Sequence, residues 1–240
     1  MKYEIKGGSF PIVECVLDKG EKMITQSGSM CWMDSSISMD TSSNGGLGKV
    51  VGRLFTREHL FQNIYTANEN GAKITFGTCV PGSIMAVKLT GGQSIICQKS
   101  AFLASYGNVE MSVFFNKKLG AGLFGGEGFI MQKITGEGTV FLEVDGSSVE
   151  FELAEGETKI LSTGYLVSMD ETCQIDIQTV KGVKNIFLGG EGLFNTVITG
   201  PGKVLVQTMP LARLANSLIP YLPKPSSDSG NKVLSMFNND

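Results

Sequence analysis

GGEGFIMQKITGEGTV at residues 125–140 recurs as GGEGLFNTVITGPGKV at residues 189–204, a constant offset of 64 residues. Nine of the sixteen aligned positions are identical, and in the first copy they are Gly125, Gly126, Glu127, Gly128, Ile134, Thr135, Gly136, Gly138 and Val140. Both copies place short apolar runs between glycines, which is typical of strands joined by tight turns. Self-similarity at a fixed spacing indicates an internal structural repeat. The motif therefore predicts a β unit that occurs at least twice.

A third and weaker copy of the motif, RLFTREHLFQNIYTANENGAKI, lies upstream at residues 53–74. Its turn is three residues longer than the turns of the other two copies. The segments between the motifs repeat as well, and Met33-Asp34 matches Met169-Asp170 at an offset of 136. The chain therefore divides into three units, near residues 10–79, 80–145 and 146–209.

The apolar runs of these units alternate with polar residues, as in Ile175-Asp176-Ile177. Alternation with a period of two predicts half-buried antiparallel strands, so we expect an all-β fold of three tandem repeats. One such unit is too small to bury its apolar faces well, whereas three units in a pseudo-threefold arrangement can do so. We expect one β domain over residues 1–223, with a short C-terminal amphipathic helix at about 211–219 and a flexible tail at 224–240.

The charge balance and the cysteine pattern argue against several classes of protein. The 240 residues include 20 basic and 23 acidic side chains, for a net charge of −3. This balance provides no basic field, so nucleic acid is a disfavoured partner. The five cysteines are widely spaced without a C-x-x-C pair, which predicts reduced thiols. No signal peptide and no apolar run of ~20 residues is visible, so we expect a cytoplasmic protein without a transmembrane segment.

Four stretches of the chain carry a family resemblance: GKVVGRLFTREHLFQNIYTA (48–67), LTGGQSIICQKSAFLAS (89–105), GLFGGEGFIMQKITGEGTVFLE (122–143) and the closing segment 211–223. With their glycine-glutamate-glycine turns, they resemble the uncharacterised family related to the yeast protein of altered inheritance of mitochondria. The resemblance implies a repeated double-stranded β-helix unit like that of the tryptophan RNA-binding attenuator protein. It also implies a link to mitochondrial organisation, without a settled biochemical role. An RNA-binding activity would rest on fold analogy alone, which is a poor warrant for function.

Residues 120–125, GAGLFG, match the G-x-G-x-x-G fingerprint of dinucleotide-binding folds, and Asp145 lies twenty residues after the last glycine. That fingerprint requires a helix after the glycines, because the amides at its N-terminus face the pyrophosphate. Here the glycine-free run Phe129–Thr135 is too short for such a helix. We therefore predict no nucleotide cofactor at this motif.

Glu58, Glu127 and Glu191 are equivalent positions of the three copies, and together with His59 they form the candidate site. Near a pseudo-threefold axis, the three carboxylates could bind a cation or share protons. The favoured alternative is that each glutamate accepts hydrogen bonds from its own turn or faces solvent. His59 takes the place of a glycine of the other copies, and as a single histidine it supplies one metal ligand at most. We expect it on the surface of a turn.

No catalytic set can be assembled from these residues, because no serine or cysteine stands in the context of an activated nucleophile. Trp32 and the other aromatic residues lack the interleaved basic runs of an RNA-stacking surface, which favours core or interface packing. We therefore predict a non-enzymatic structural or interaction protein, without cofactor or metal, that forms a homo-oligomer or binds a protein partner. Single-stranded RNA binding, by analogy with the fold, and small-ligand or cation binding are the alternatives.

Overall fold

The computed structural model describes residues 1–26, 28–43, 61–117, 128–179, 194–218 and 221. Antiparallel strands make up most of these residues, and Leu211–Leu218 forms a helix. The predicted all-β class with a short C-terminal helix is confirmed. Within the described part of the chain, no helix is long and apolar enough to span a bilayer.

The first segment of the chain opens with an added strand, β1 (Lys2–Lys6), which lies along β2. The strands that follow are β2 (Ile12–Leu17), β3 (Lys22–Gln26), β4 (Met30–Met33), β5 (Ile37–Ser43), β6 (Phe61–Ala67) and β7 (Ala72–Gly77). β7 pairs with β2 and β4, whereas β6 pairs with β3 and β5. Alternate residues of β2 are buried, as the period of two predicts.

The second and third segments contain the remaining strands. The second contains β8 (Gly82–Leu89), β9 (Ser94–Gln98), the 3-10 turn Lys99–Ala101, β10 (Phe102–Lys117) and β11 (Phe129–Asp145). The third contains β12 (Ser148–Leu153), β13 (Thr158–Ser162), β14 (Leu166–Met169), β15 (Gln174–Thr179), β16 (Phe194–Thr199) and β17 (Gly202–Gln207). β11 pairs with β8, β9 and β10, while β17 pairs with β12 and β14, and β16 with β13 and β15. The long β10 and β11 thus each span the positions of two shorter strands. The pseudo-threefold symmetry itself stays a prediction.

Two strand joints link consecutive segments in the described part of the chain. β10 pairs with β3, where Ser105 lies opposite Ile24, and β14 pairs with β9, where Met169 lies opposite Ile96. Through these joints all three segments contribute to one ten-stranded sheet. A four-stranded sheet (β1, β2, β7, β4) and a three-stranded sheet (β13, β16, β15) complete the described strands. Ser105, Ile96 and Met169 are buried, so the backbone pairing at both joints is protected from water.

Three apolar clusters form the core, and each joins consecutive segments. The first packs Phe76 of the first segment with Phe141 of the second. The third packs Phe129 of the second segment with Leu166 of the third, and the remaining cluster includes Leu205. Each large side chain of this kind contributes roughly 1.5–3 kcal/mol by its burial. None of these clusters of described residues joins the third segment to the first.

The backbones of β10 and β11 approach closely at the glycines of the repeated motif. A Cβ added to Gly136 (φ +138°) would lie 2.2 Å from the carbonyl oxygen of Asn108, and one added to Gly138 would lie 2.1 Å from that of Tyr106. Gly107, opposite Gly138, also has a positive φ of +101°. Only glycine satisfies both the close approach and the left-handed backbone. The TGEG motif at residues 135–138 therefore supplies the glycines that this close pairing of β10 with β11 requires.

Gly136→Ala is expected to destabilise the protein by about 3 kcal/mol or more, because the new Cβ meets a backbone oxygen of the β10–β11 ladder. Gly92→Ala is the matched control, since Gly92 has a positive φ (+78°) but open space around it. Its cost should be only roughly 1–2 kcal/mol. Chemical denaturation measures both losses, and equal losses would contradict the role assigned to the close approach.

Candidate functional site

The residues predicted as the candidate site lie outside the described residues. Glu58 and His59 fall within 44–60, Glu127 within 118–127 and Glu191 within 180–193. The convergence of the three carboxylates stays a prediction, and so does the surface position of His59. Among the residues that the structure describes, no three His, Cys, Asp or Glu side chains are grouped as a possible metal site.

The G-x-G-x-x-G stretch at 120–125 also lies outside the described residues, but the chain that follows it is described. Phe129 begins β11, a strand of 17 residues. A dinucleotide-binding fingerprint requires a helix at this place, with its N-terminal amides turned toward the pyrophosphate. A strand cannot supply that arrangement. The chain after the glycines therefore has the wrong secondary structure for a dinucleotide site.

β4 presents an open strand edge. Among the described strands it pairs with β7 alone, so its other side offers backbone groups to a further strand. Trp32 on this strand is 54% exposed, and Cys31 beside it is exposed as well. Met30 and Met33 are half-buried against the first apolar cluster. The edge thus combines a backbone held by β7 with a large aromatic side chain in solvent.

β13 presents a second open edge. It pairs with β16 and with no other strand of the described residues. Ile160 on this strand is 63% exposed, and Leu161 is half-buried. The exposed Lys159 places its Nζ 3.2 Å from Glu157 Oε1 and 5.3 Å from the centroid of the Phe151 ring. This edge is therefore apolar at Ile160 and positively charged one residue before it.

The counterparts of these two strands elsewhere in the chain are covered. By repeat position, β4 corresponds to the start of β10 and to β14, whereas β13 corresponds to β3 and β9. Ile96 of β9 is fully buried, but Ile160, the same residue type 64 positions later, is largely exposed. Ser168 of β14 is buried, but Trp32, at the same repeat position, is exposed. Among the described strands, β4 and β13 thus lack the second neighbouring strand that their counterparts have.

Three of the five cysteine thiols are buried, those of Cys15, Cys97 and Cys173, whereas Cys31 and Cys79 are exposed. All five are free. Burial raises the pKa of Cys15 and Cys97 to about 12, and it also raises the pKa of Cys31, Cys79 and Cys173 above the ordinary thiol value. A nucleophilic or metal-binding cysteine requires a lowered pKa instead. These thiols are therefore protonated at neutral pH.

Glu143 and Asp145 form a half-buried pair of carboxylates on β11. Glu143 Oε1 accepts a hydrogen bond of 2.6 Å from the Cys79 amide, and Asp145 Oδ2 accepts one of 2.8 Å from the Leu211 amide at the start of the helix. Burial raises the pKa of both carboxyl groups, and the charge of Asp145 adds to the rise at Glu143, although the amide hydrogen bonds oppose it. Asp145 therefore anchors the start of the helix and Glu143 holds the backbone at Cys79, while burial disfavours the charged form of both carboxyl groups.

Neither the two open edges nor the carboxylate pair was predicted from the sequence. The available signal was the repeat alignment, which places the large Trp32 where another copy has the small Ser168. A large apolar residue that replaces a small polar one marks a position with a different environment. Which environment it is depends on the neighbouring strands, and the alignment does not contain them.

Glu143→Gln is expected to reduce the pH dependence of stability. A carboxyl group whose pKa is raised on folding stabilises most below its unfolded-state pKa, and this contribution is lost as the pH rises through the folded-state value. The variant keeps an oxygen for the Cys79 amide but cannot ionise. The free energy of unfolding of the variant minus that of the wild type should therefore increase as the pH rises from about 4 to 7.

Urea titrations across this pH range measure the effect, with Glu152→Gln, at an exposed carboxylate of β12, as the control. The control should follow the wild type at each pH. If the difference in free energy of unfolding between Glu143→Gln and the wild type does not change with pH, burial does not raise the pKa of Glu143 as assigned.

Comparison with known proteins places the chain among relatives that share its whole β region. The mitochondrial biogenesis AIM24 family matches residues 3–209. An uncharacterised protein of Streptococcus pyogenes serotype M6 is 30% identical over 226 residues, which cover 91% of this chain and 89% of that relative. A Streptococcus pyogenes protein of known crystal structure superposes with a TM-score of 0.73 at 25% identity, covering 92% of this chain and 99% of the other.

These matches extend over all three described β segments, and they confirm the family resemblance of the repeated turns. Neither the family nor these relatives has an assigned catalytic activity. The chain belongs to the mitochondrial biogenesis AIM24 family.

Proposed function

We propose that this protein is a non-enzymatic structural protein that acts by assembling, with itself or with a protein partner, through the open edges of β4 and β13. One observation carries the proposal: each strand is paired on one side only among the described strands, and each exposes a large apolar side chain there. An exposed edge with apolar side chains marks an interaction surface.

The composition of the two edges supports this role. An unpaired strand edge is a template for another strand, and proteins that remain monomeric protect such edges with lysines, prolines or covering loops. β4 reads Met-Cys-Trp-Met, without a charge or a proline, and β13 contains a single lysine. Covering the exposed parts of Trp32 and Ile160 would contribute roughly 1–2 kcal/mol each. Pairing of their backbone groups adds directionality to this apolar contribution.

The C-terminal helix adds a further exposed apolar surface. Leu211 is 51% exposed, and no residue of the helix is buried. Tyr221, just beyond the helix, is more exposed still. The helix begins at a fixed point, because the Leu211 amide bonds Asp145 and the Arg213 guanidinium lies 5.8 Å from the centroid of the Tyr165 ring. An anchored helix with apolar side chains in solvent suits a contact with a second protein.

The purified protein is expected to self-associate in the micromolar range. Sedimentation velocity over a series of concentrations should show a mass that rises from one chain toward multiples of it. Because the edges are mainly apolar, the assemblies should persist in high salt, which would dissolve association driven by surface charge. A mass of one chain at every concentration, together with no binding to a defined protein partner, would refute the proposed function.

A further inference from the structure

We infer that β4 of one copy of this chain pairs with β13 of a second copy, in the way that consecutive segments of the chain pair internally. The inference rests on the proposed function, because it names the partner and the strand register of that assembly. The two edges differ from one another, so the copies join head to tail.

The two internal joints determine the register of this pairing. At one joint Ser105 lies opposite Ile24, and at the other Met169 lies opposite Ile96. The repeat offsets of 64 and 136 residues convert each of these pairs into the same third pair, Met33 opposite Ile160. The two joints are separate in the chain, yet both predict the same register for β4 against β13. This agreement supports the inference.

The neighbouring pairs of this register are chemically complementary. The pairing of Ser168 with Cys97 converts into Trp32 opposite Leu161, and the pairing of Tyr106 with Met23 converts into Asp34 opposite Lys159. The joint would therefore bring together apolar side chains at two positions and opposite charges at a third. Cross-strand pairs of both kinds stabilise antiparallel sheets.

The backbone of β4 has the same irregularity as its counterparts in β10 and β14, which pair at the internal joints. The ladder of β4 with β7 contains a register shift at Met30–Trp32, and the corresponding ladders of β10 and β14 contain one at the equivalent place. The turn after β4 is also shared, because Asp34 accepts a hydrogen bond of 2.8 Å from the Lys73 amide and Asp170 accepts one of 2.9 Å from the Lys203 amide. Since β10 and β14 pair in spite of the shift, the shift does not protect β4 from pairing.

A second copy fits these edges better than the chain's own other end. β4 and β13 belong to separate sheets, and Trp32 and Ile160 both stand in solvent. No apolar cluster of the described residues joins the third segment to the first. Each copy therefore offers one edge of each kind, and a second copy supplies both complements with the geometry of the internal joints.

Two variants that each block one edge test the inference. Trp32→Lys blocks β4 and leaves β13 intact, whereas Ile160→Lys blocks β13 and leaves β4 intact. Both side chains are exposed, so the fold should not change. Each variant alone should self-associate at least about tenfold more weakly than the wild type. Mixed in equal amounts, the two should form a heterodimer, because each supplies the edge that the other lacks.

The control and the readout come from the chain itself. Phe10→Lys changes a side chain that is 62% exposed and outside both edges, and this variant should assemble like the wild type. Trp32 is the only tryptophan of the chain, so the Ile160→Lys variant is the sole source of tryptophan emission in the mixture. Its emission should shift to shorter wavelength only when Trp32→Lys is added.

Each outcome supports or overturns a distinct statement. A mixture that stays monomeric, or single variants that keep the wild-type assembly, would overturn the pairing of β4 with β13, although assembly through another surface would stand. A wild-type chain that is monomeric with a buried Trp32 would show closure within one chain. That result would overturn both the inference and self-assembly as the function.

A charge reversal tests the register. Lys159→Glu, introduced into the Trp32→Lys variant, places a carboxylate opposite Asp34 of the Ile160→Lys partner. The heterodimer should then dissociate roughly fivefold more readily at low salt, and the difference should shrink as salt is added. Lys88→Glu, an equal charge change at an exposed position of β8, is the control. If both reversals have the same effect, the register is wrong.

Discussion

The close antiparallel pairing of β10 with β11 is the interaction on which the rest of the structure depends. β11 pairs with β8, β9 and β10, while β10 continues to β3 of the first segment and β9 to β14 of the third. In the ten-stranded sheet, the path from the first segment to the third therefore runs through this pair. The ladder forms because Gly136 and Gly138 leave room for the opposite backbone. The absence of side chains at these two glycines thus supports the connection between the first and third segments in the sheet.

The sequence predicts this part of the structure well, because local physical rules govern it. A side-chain period of two identifies half-buried strands, and glycine marks positions with a positive φ or a close backbone. Gly136 and Gly200 occupy equivalent positions of the repeated motif, and a Cβ added to either would lie within 2.5 Å of a backbone carbonyl oxygen. Similarly, Met33-Asp34 and Met169-Asp170 recur because each aspartate accepts a backbone hydrogen bond at the same turn. Strands, turns and family follow from such patterns.

The candidate site does not follow from the same patterns, because exposure depends on strands that are distant in the chain. Ile96 and Ile160 are the same residue at the same repeat position, yet one is buried beneath a neighbouring strand and the other stands in solvent. The raised pKa of Asp145 likewise depends on burial at the base of the helix, whose first amide lies 66 residues further along. Repeat alignment drew attention to Glu58, Glu127 and Glu191 by their recurrence, whereas the edges stand out by their loss of a partner.

A chain of repeats that pair in series always has one joint fewer than it has repeats. Three segments therefore make two joints and leave two complementary edges, unless the ends are capped or closed. Repeat proteins that stay monomeric cover such ends with polar capping units. Here the added strand β1 covers a side of β2, while β4 keeps Trp32 exposed and β13 keeps Ile160 exposed. Joining these ends requires no new type of contact, because each chain already makes the same joint twice. The angle between consecutive segments then determines whether successive copies close into a ring or extend as a filament.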